Sequence, residues 1–121
     1  MKIRAVGKLV PDWYIPIFEK DESVPAQFLL KPLRDIEKLE MSEKVVTDKD
    51  NNMILSAGLC RVIIGYGLVD WKNFLDENDE PVKFSGSMER NIGMLPTEVI
   101  QDLAAEILQR TYVPSDDKKK S

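Results

Sequence analysis

Histidine is absent from this 121-residue sequence, and cysteine occurs once, as Cys60. The first absence excludes histidine triads, histidine metal sites and histidine proton shuttles. The second excludes an internal disulfide and any cysteine-rich zinc site. A long apolar run is also missing. Residues 54–69 (ILSAGLCRVIIGYGLV) are interrupted by Arg61 and stop short of the roughly 20 residues that a membrane span needs. Near the start, Pro11 and Asp12 cut off an apolar stretch too brief for a signal-peptide core, so the cytoplasm is the expected location. Basic charge is not in excess either. Lys and Arg total 17 against 21 Asp and Glu, a formal charge of −4, which argues against a nucleic-acid partner. What is present, 43% hydrophobic and 31% charged residues, is enough for one soluble core. The expectation is a single domain over residues 1–114 and a disordered polar tail, SDDKKKS, over 115–121.

The pattern along the chain predicts an α+β fold, with a small N-terminal antiparallel sheet followed by a mainly helical body. Residues 3–10 form a short mixed run, and residues 13–18 are aromatic and β-branched with Pro16 suited to an edge strand. The charged turn EKDES at 19–23 lets residues 25–31 return as an antiparallel partner. From Pro32 the period becomes helical: Leu33, Ile36 and Leu39 recur on one face, and Glu40 with Lys44 suits an i,i+4 pair. A second helix is expected over about 51–64, apolar on more than one face, with Gly65 and Gly67 as its stop. An aromatic turn around Trp71, Phe74 and Leu75 precedes the acidic loop 76–80 and an extended 82–84. The last helix opens at Pro96, with Val99, Ile100, Leu103, Ala104, Ile107 and Leu108 in one apolar stripe.

Catalytic and metal chemistry find little support. Asp48, Asp50 and Asn52 match the first three ligand positions of an EF-hand. However, Met53 stands where glycine makes the turn and Leu59 where the bidentate glutamate belongs. The loop at 76–80 fails likewise, with Pro81 and Ser87 at those two positions, so both loops read as solvated turns. Gly65 and Gly67 do not make a dinucleotide loop, because Asp70 occupies the third glycine position. Cys60 sits among apolar residues with no histidine to act as its base, and is read as an inert small hydrophobe. No catalytic, cofactor-binding or metal-binding residue is assigned, and the chain is read as non-enzymatic. What remains is surface for binding. Trp13, Tyr14, Phe18, Trp71 and Phe74 lie near turns, where aromatics either anchor a partner or complete a small core.

Several segments occur in a telling order. A strand-rich start with WYIP is followed by FLLKPLRDIEKLE, then by LVDWKNFLDENDEPVKFS, and finally by LPTEVIQDLAAEILQRTYV. Val69, Asp70 and Trp71, the acidic loop, Pro81 and Val82, Phe84 and Ser85, then Leu95 and Pro96 opening the last helix, carry most of it. This arrangement resembles the tail assembly chaperones of long-tailed bacteriophages. The resemblance implies a protein of viral morphogenesis in the cytoplasm of the infected bacterial host, absent from the mature virion. It would bind and solubilise the helical tape measure protein and help recruit tail tube protein. Self-association is implied as well, with no nucleic-acid or membrane partner and no cofactor. A structural tail-terminator or head–tail joining protein is the alternative.

Candidate partner-binding residues are Trp71, Phe74 and Leu75 in the aromatic turn and Ile100, Leu103, Ile107 and Leu108 on the last helix. The helical four can serve the chain's own core, an oligomer contact or a client groove. Many members of the resembled family are made in two lengths by a minus-one ribosomal frameshift. Lys118, Lys119 and Lys120 are compatible with a slippery A-AAA-AAA codon run, or are simply a solvated charged tail.

Overall fold

The computed structural model describes residues 1–112; the expected polar tail, with Lys118, Lys119 and Lys120, lies outside the described residues. In chain order the elements are β1 (Asp12–Tyr14), a 3-10 turn (Ile17–Glu19), β2 (Gln27–Leu30), α1 (Asp35–Ser42), β3 (Val46–Thr47) and β4 (Met53–Ile54). They continue with α2 (Ala57–Gly67), β5 (Leu68–Lys72), α3 (Met88–Gly93) and α4 (Thr97–Tyr112). The fold is α+β, as the sequence predicts. Its sheet is not wholly N-terminal, because the order β1-β2-β5 brings the third strand from the middle of the chain.

Both neighbours of β2 run antiparallel to it. Tyr14, Phe28 and Trp71 lie across one another, and Leu30 pairs with Leu68. Leu29 pairs with Asp70 while Leu30 pairs with Leu68, so Val69 is an extra residue on β5. That bulge is what allows Leu68 and Trp71, an odd number of residues apart, both to be buried. Against this face pack α2 and α4, and Phe28, Leu30, Leu59, Ile63, Ile64, Leu103 and Ile107 are fully buried. A polar cluster fixes the α4 angle. The Tyr14 hydroxyl donates to Asp102 Oδ2 at 2.9 Å, and Arg110 Nη1 donates to the carbonyls of Asp12 and Leu30 at 3.0 and 2.9 Å.

Several expectations are corrected. Residues 3–10 form no strand. The 13–18 strand stops at Tyr14, because buried Pro16 offers no ladder donor and the Glu19 N–H closes a 3-10 turn on its carbonyl at 2.9 Å. The first helix begins at Asp35, beyond Pro32 and Leu33, with Arg34 as N-cap and the Glu37 carboxylate accepting the Arg34 N–H at 2.8 Å. Its buried positions are Glu37 and Met41, whereas Ile36 and Leu39 are 54% and 66% exposed. Apolar spacing points to the wrong face because Glu37 is held inside by Lys31 and Arg34, each 3.5 Å away. Lys44 falls past the helix end, so its predicted pair with Glu40 is replaced by Asp35 with Lys38.

The second helix starts six residues later than expected, at Ala57, behind a Ser56 cap, because β3 and β4 form a hairpin over the preceding stretch. It continues past Gly65 and ends at Gly67, three residues beyond the expected Ile64, with Leu68 as its C-cap. Gly67 has an ordinary helical φ and serves packing: a Cβ built on it would lie 2.6–2.9 Å from three side-chain carbons of Ile107. The predicted turn at Trp71 is the end of β5, a strand that follows α2 without a loop. Helix α3 is unanticipated. Its Asn91 is 1% exposed, and its amide group exchanges hydrogen bonds with the Ser85 backbone N–H and carbonyl at 2.9 and 3.0 Å. The expected last helix matches α4, with the Pro96 carbonyl accepting its first bond from Ile100.

Candidate functional site

The seven predicted binding residues fall into two groups. Trp71, Leu103 and Ile107 belong to the chain's own core, and Ile100 and Leu108 pack half-buried against it. The Trp71 indole N–H donates to the Val82 carbonyl at 2.7 Å, and its ring meets Phe74 and Phe84 edge-on at 5.0 and 4.9 Å between centroids. Phe74 is half-buried and Leu75 is 48% exposed. These two reach a groove of about 470 Å³.

The groove is assembled from three distant parts of the chain. One wall is the turn after β1, where Phe18 and Val24 are exposed. Glu19 Oε1 accepts the Ala26 N–H at 2.9 Å and ties that turn to β2. The second wall is Phe74 and Leu75, aimed by Asn73. This residue takes φ 59°, a left-handed value that asparagine tolerates, and its amide donates to the Pro25 carbonyl at 3.2 Å. The third is the start of α4, where Pro96 and Val99 lie beside Glu98 in the first helical turn. Phe28 lines the groove as well. Among the described residues Glu19, Glu22 and Glu98 supply its only charges, and no Lys or Arg lines it. Such a surface takes an apolar side-chain ridge flanked by cations. Phe74, Leu75 and Phe18 carry a sequence signal as aromatics and apolars beside turns. Val24, Glu22 and Glu98 carry none, because only the tertiary fold brings them together.

The other candidate groups have structural roles. Asp48 Oδ1 accepts the N–H of Asp50 at 2.8 Å and of Asn52 at 3.0 Å, while Asn51 takes φ 65°. Asp76 repeats the device on Asn78 and Glu80 at 2.8 and 3.0 Å, with Asp79 at φ 61°. The acidic spacing that imitates a calcium loop is thus the spacing of two self-capped turns. Among the described residues no group of three or more acidic or cysteine side chains is placed to hold a metal. Burial pushes the Cys60 thiol up, away from thiolate chemistry. The Tyr14 phenol is raised above its ordinary range by burial, then by its bond to Asp102 and the carboxylates of Asp102 and Glu106, with Arg110 opposing.

The N–H groups of Asn52 and Asp50 hold the Asp48 carboxyl below its ordinary value. Its contribution to the hairpin is therefore complete above the unfolded value of about 3.9 and is lost as pH falls through the lower folded value. Amide exchange at Asp50 and Asn52, relative to intrinsic rates, should accelerate through that acid range, and Asp48→Asn should abolish the dependence. Unchanged protection down to the folded pKa and beyond would sink this assignment.

No helix among the described residues is long and apolar enough to cross a membrane. No family model, curated protein or solved structure matches the chain.

Proposed function

We propose that this chain is a tail assembly chaperone of a long-tailed bacteriophage, a non-enzymatic binding protein of the infected bacterial cytoplasm. Its client is the tape measure protein, which it keeps soluble while tail tube protein is recruited, and it leaves before the virion matures. The observation that supports this reading most is the groove, open and apolar between Phe18, Val24, Leu75 and Val99, and rimmed by Glu19, Glu22 and Glu98. A long helical client presents repeated apolar ridges bordered by charge, and a groove of this kind covers one ridge at a time. Ile36 and Leu39, exposed on α1, add apolar surface of the same character.

The test is binding to purified tape measure fragments, together with the protein content of mature tails. Leu75→Glu and Phe18→Glu each replace an exposed apolar anchor and should weaken client binding about tenfold or more. Neither side chain is in the buried core, so the melting temperature should stay close to that of the parent. Stoichiometric recovery of the chain from mature virions would overturn the chaperone reading in favour of a structural tail or joining protein.

A further inference from the structure

The segment that precedes β1 contributes no buried residue to its own fold, with only Leu9 and Pro11 half-buried. Residues 1–8 are all exposed, Ile3 to 87%, and among the described residues no hydrogen bond involves residues 1–10. Its composition is unlike that of the rest of the chain. Lys2, Arg4 and Lys8 are its only charged residues, in a protein whose formal charge is −4. In extended form Met1, Ile3, Ala5, Gly7 and Leu9 share one side, while the three cations lie on the other with Val6 and Val10. That is an apolar edge with a basic back, the complement of an apolar groove with an acidic rim.

The segment's own surroundings do not offer this match. The recess bordering residues 6–9 contains Lys31, Arg34 and Glu37, and Glu37 is already paired with both cations. The acid-rimmed groove lies at the other end of the sheet. The segment joins β1 at Asp12, level with Leu30 and Leu68. The groove begins past Tyr14, at Pro16, and includes Ala26, Phe28, Asn73 and Phe74 at the far strand ends. An arm leaving one end of the sheet and a complementary groove at the other describe a head-to-tail contact, which propagates into a ring or a filament.

We propose that residues 1–10 of one copy dock in the acid-rimmed groove of a second copy, so that self-association and client binding compete for one site. The competition rests on the groove being the client site; the docking of the arm does not. Without client, each copy's exposed apolar floor is covered by its neighbour's arm. A client ridge displaces the arm and opens the assembly at that joint.

The test is sedimentation velocity of the full chain over a wide concentration range. The parent should associate, more weakly at high salt because the pairs are exposed. The triple variant Lys2→Glu/Arg4→Glu/Lys8→Glu should raise the dissociation constant about tenfold or more, without changing the melting temperature. The groove variant Glu22→Lys/Glu98→Lys should do the same, and mixing the two variants should restore association to within about threefold of the parent. A parent that stays monomeric, or an arm variant that associates as the parent does, would overturn the proposal; so would a mixture that fails to recover. Tape measure binding, measured separately on the arm variant, distinguishes the two readings. Retained client binding with parent-like self-association removes the arm contact alone. Lost client binding with restored association in the mixture removes the chaperone reading alone.

Discussion

Trp71→Ala should destabilise the protein by about 3–5 kcal/mol, as truncation of a buried aromatic does, a large share of the ~5–15 kcal/mol that holds a domain together. The cost has two sources. Trp71 is 6% exposed and joins Phe28, Phe74 and Phe84 in one aromatic cluster, so its removal leaves a cavity bordered by three rings. Its indole N–H also holds the Val82 carbonyl at 2.7 Å, and that bond pins the 82–84 segment to the sheet. Trp71→Phe separates them, keeping most of the ring packing while losing the donor, and should cost about 1–3 kcal/mol. Urea unfolding of both variants checks the pair. A Trp71→Ala protein that melts with the parent yet loses client binding would make Trp71 a partner anchor instead of a core residue.

Gly67→Ala should also destabilise, by about 1–3 kcal/mol, although alanine is the better helix former and the backbone there is unstrained. The new methyl would stand 2.6–2.9 Å from Cδ1, Cγ2 and Cγ1 of Ile107, and two of these carbons branch directly from Cβ and cannot swing away together. In an Ile107→Ala background, which itself should cost about 2–5 kcal/mol, all three carbons are gone. The same Gly67→Ala change should there become neutral or stabilising. This reversal of sign in a double-mutant cycle is the result to look for. An equal penalty in both backgrounds would refute close packing of α2 on α4 as the reason for this glycine.

Gly67 also shows where sequence reasoning loses its grip. A glycine near the end of an apolar run reads as a helix stop, and α2 does end at Gly67, but the close helix contact made there leaves no local mark. Only the position of Ile107, forty residues on, reveals that the same residue also serves packing. The α1 face fails for a related reason: hydrophobic spacing ranks Ile36 and Leu39 above Glu37, and of the cations that admit Glu37 to the interior Lys31 precedes the helix and Arg34 is its cap. Helix α4 is legible because sixteen residues give the apolar stripe several turns to repeat, whereas α3, six residues long, offers no period to read. Strand β5 draws its definition from pairing with β2, a contact between segments about forty residues apart. The groove was half legible. Phe18, Phe74 and Leu75 announce themselves as apolar groups beside turns, but an acidic rim drawn from Glu19, Glu22 and Glu98 exists only after folding.

The Lys31 N–H donates to the Gly67 carbonyl at 2.9 Å. The chain therefore leaves the sheet after Leu30 and re-enters at Leu68 through a point closed by one hydrogen bond. Everything between is an excursion whose two ends already touch, and its outermost part, the β3–β4 hairpin, is exposed. Lengthening such a loop costs little, since each doubling adds only about 0.6 kcal/mol of closure entropy. The hairpin tip is thus the place where evolution can add sequence, or an experimenter a reporter domain, while the sheet register and the groove at its far end stay as they are.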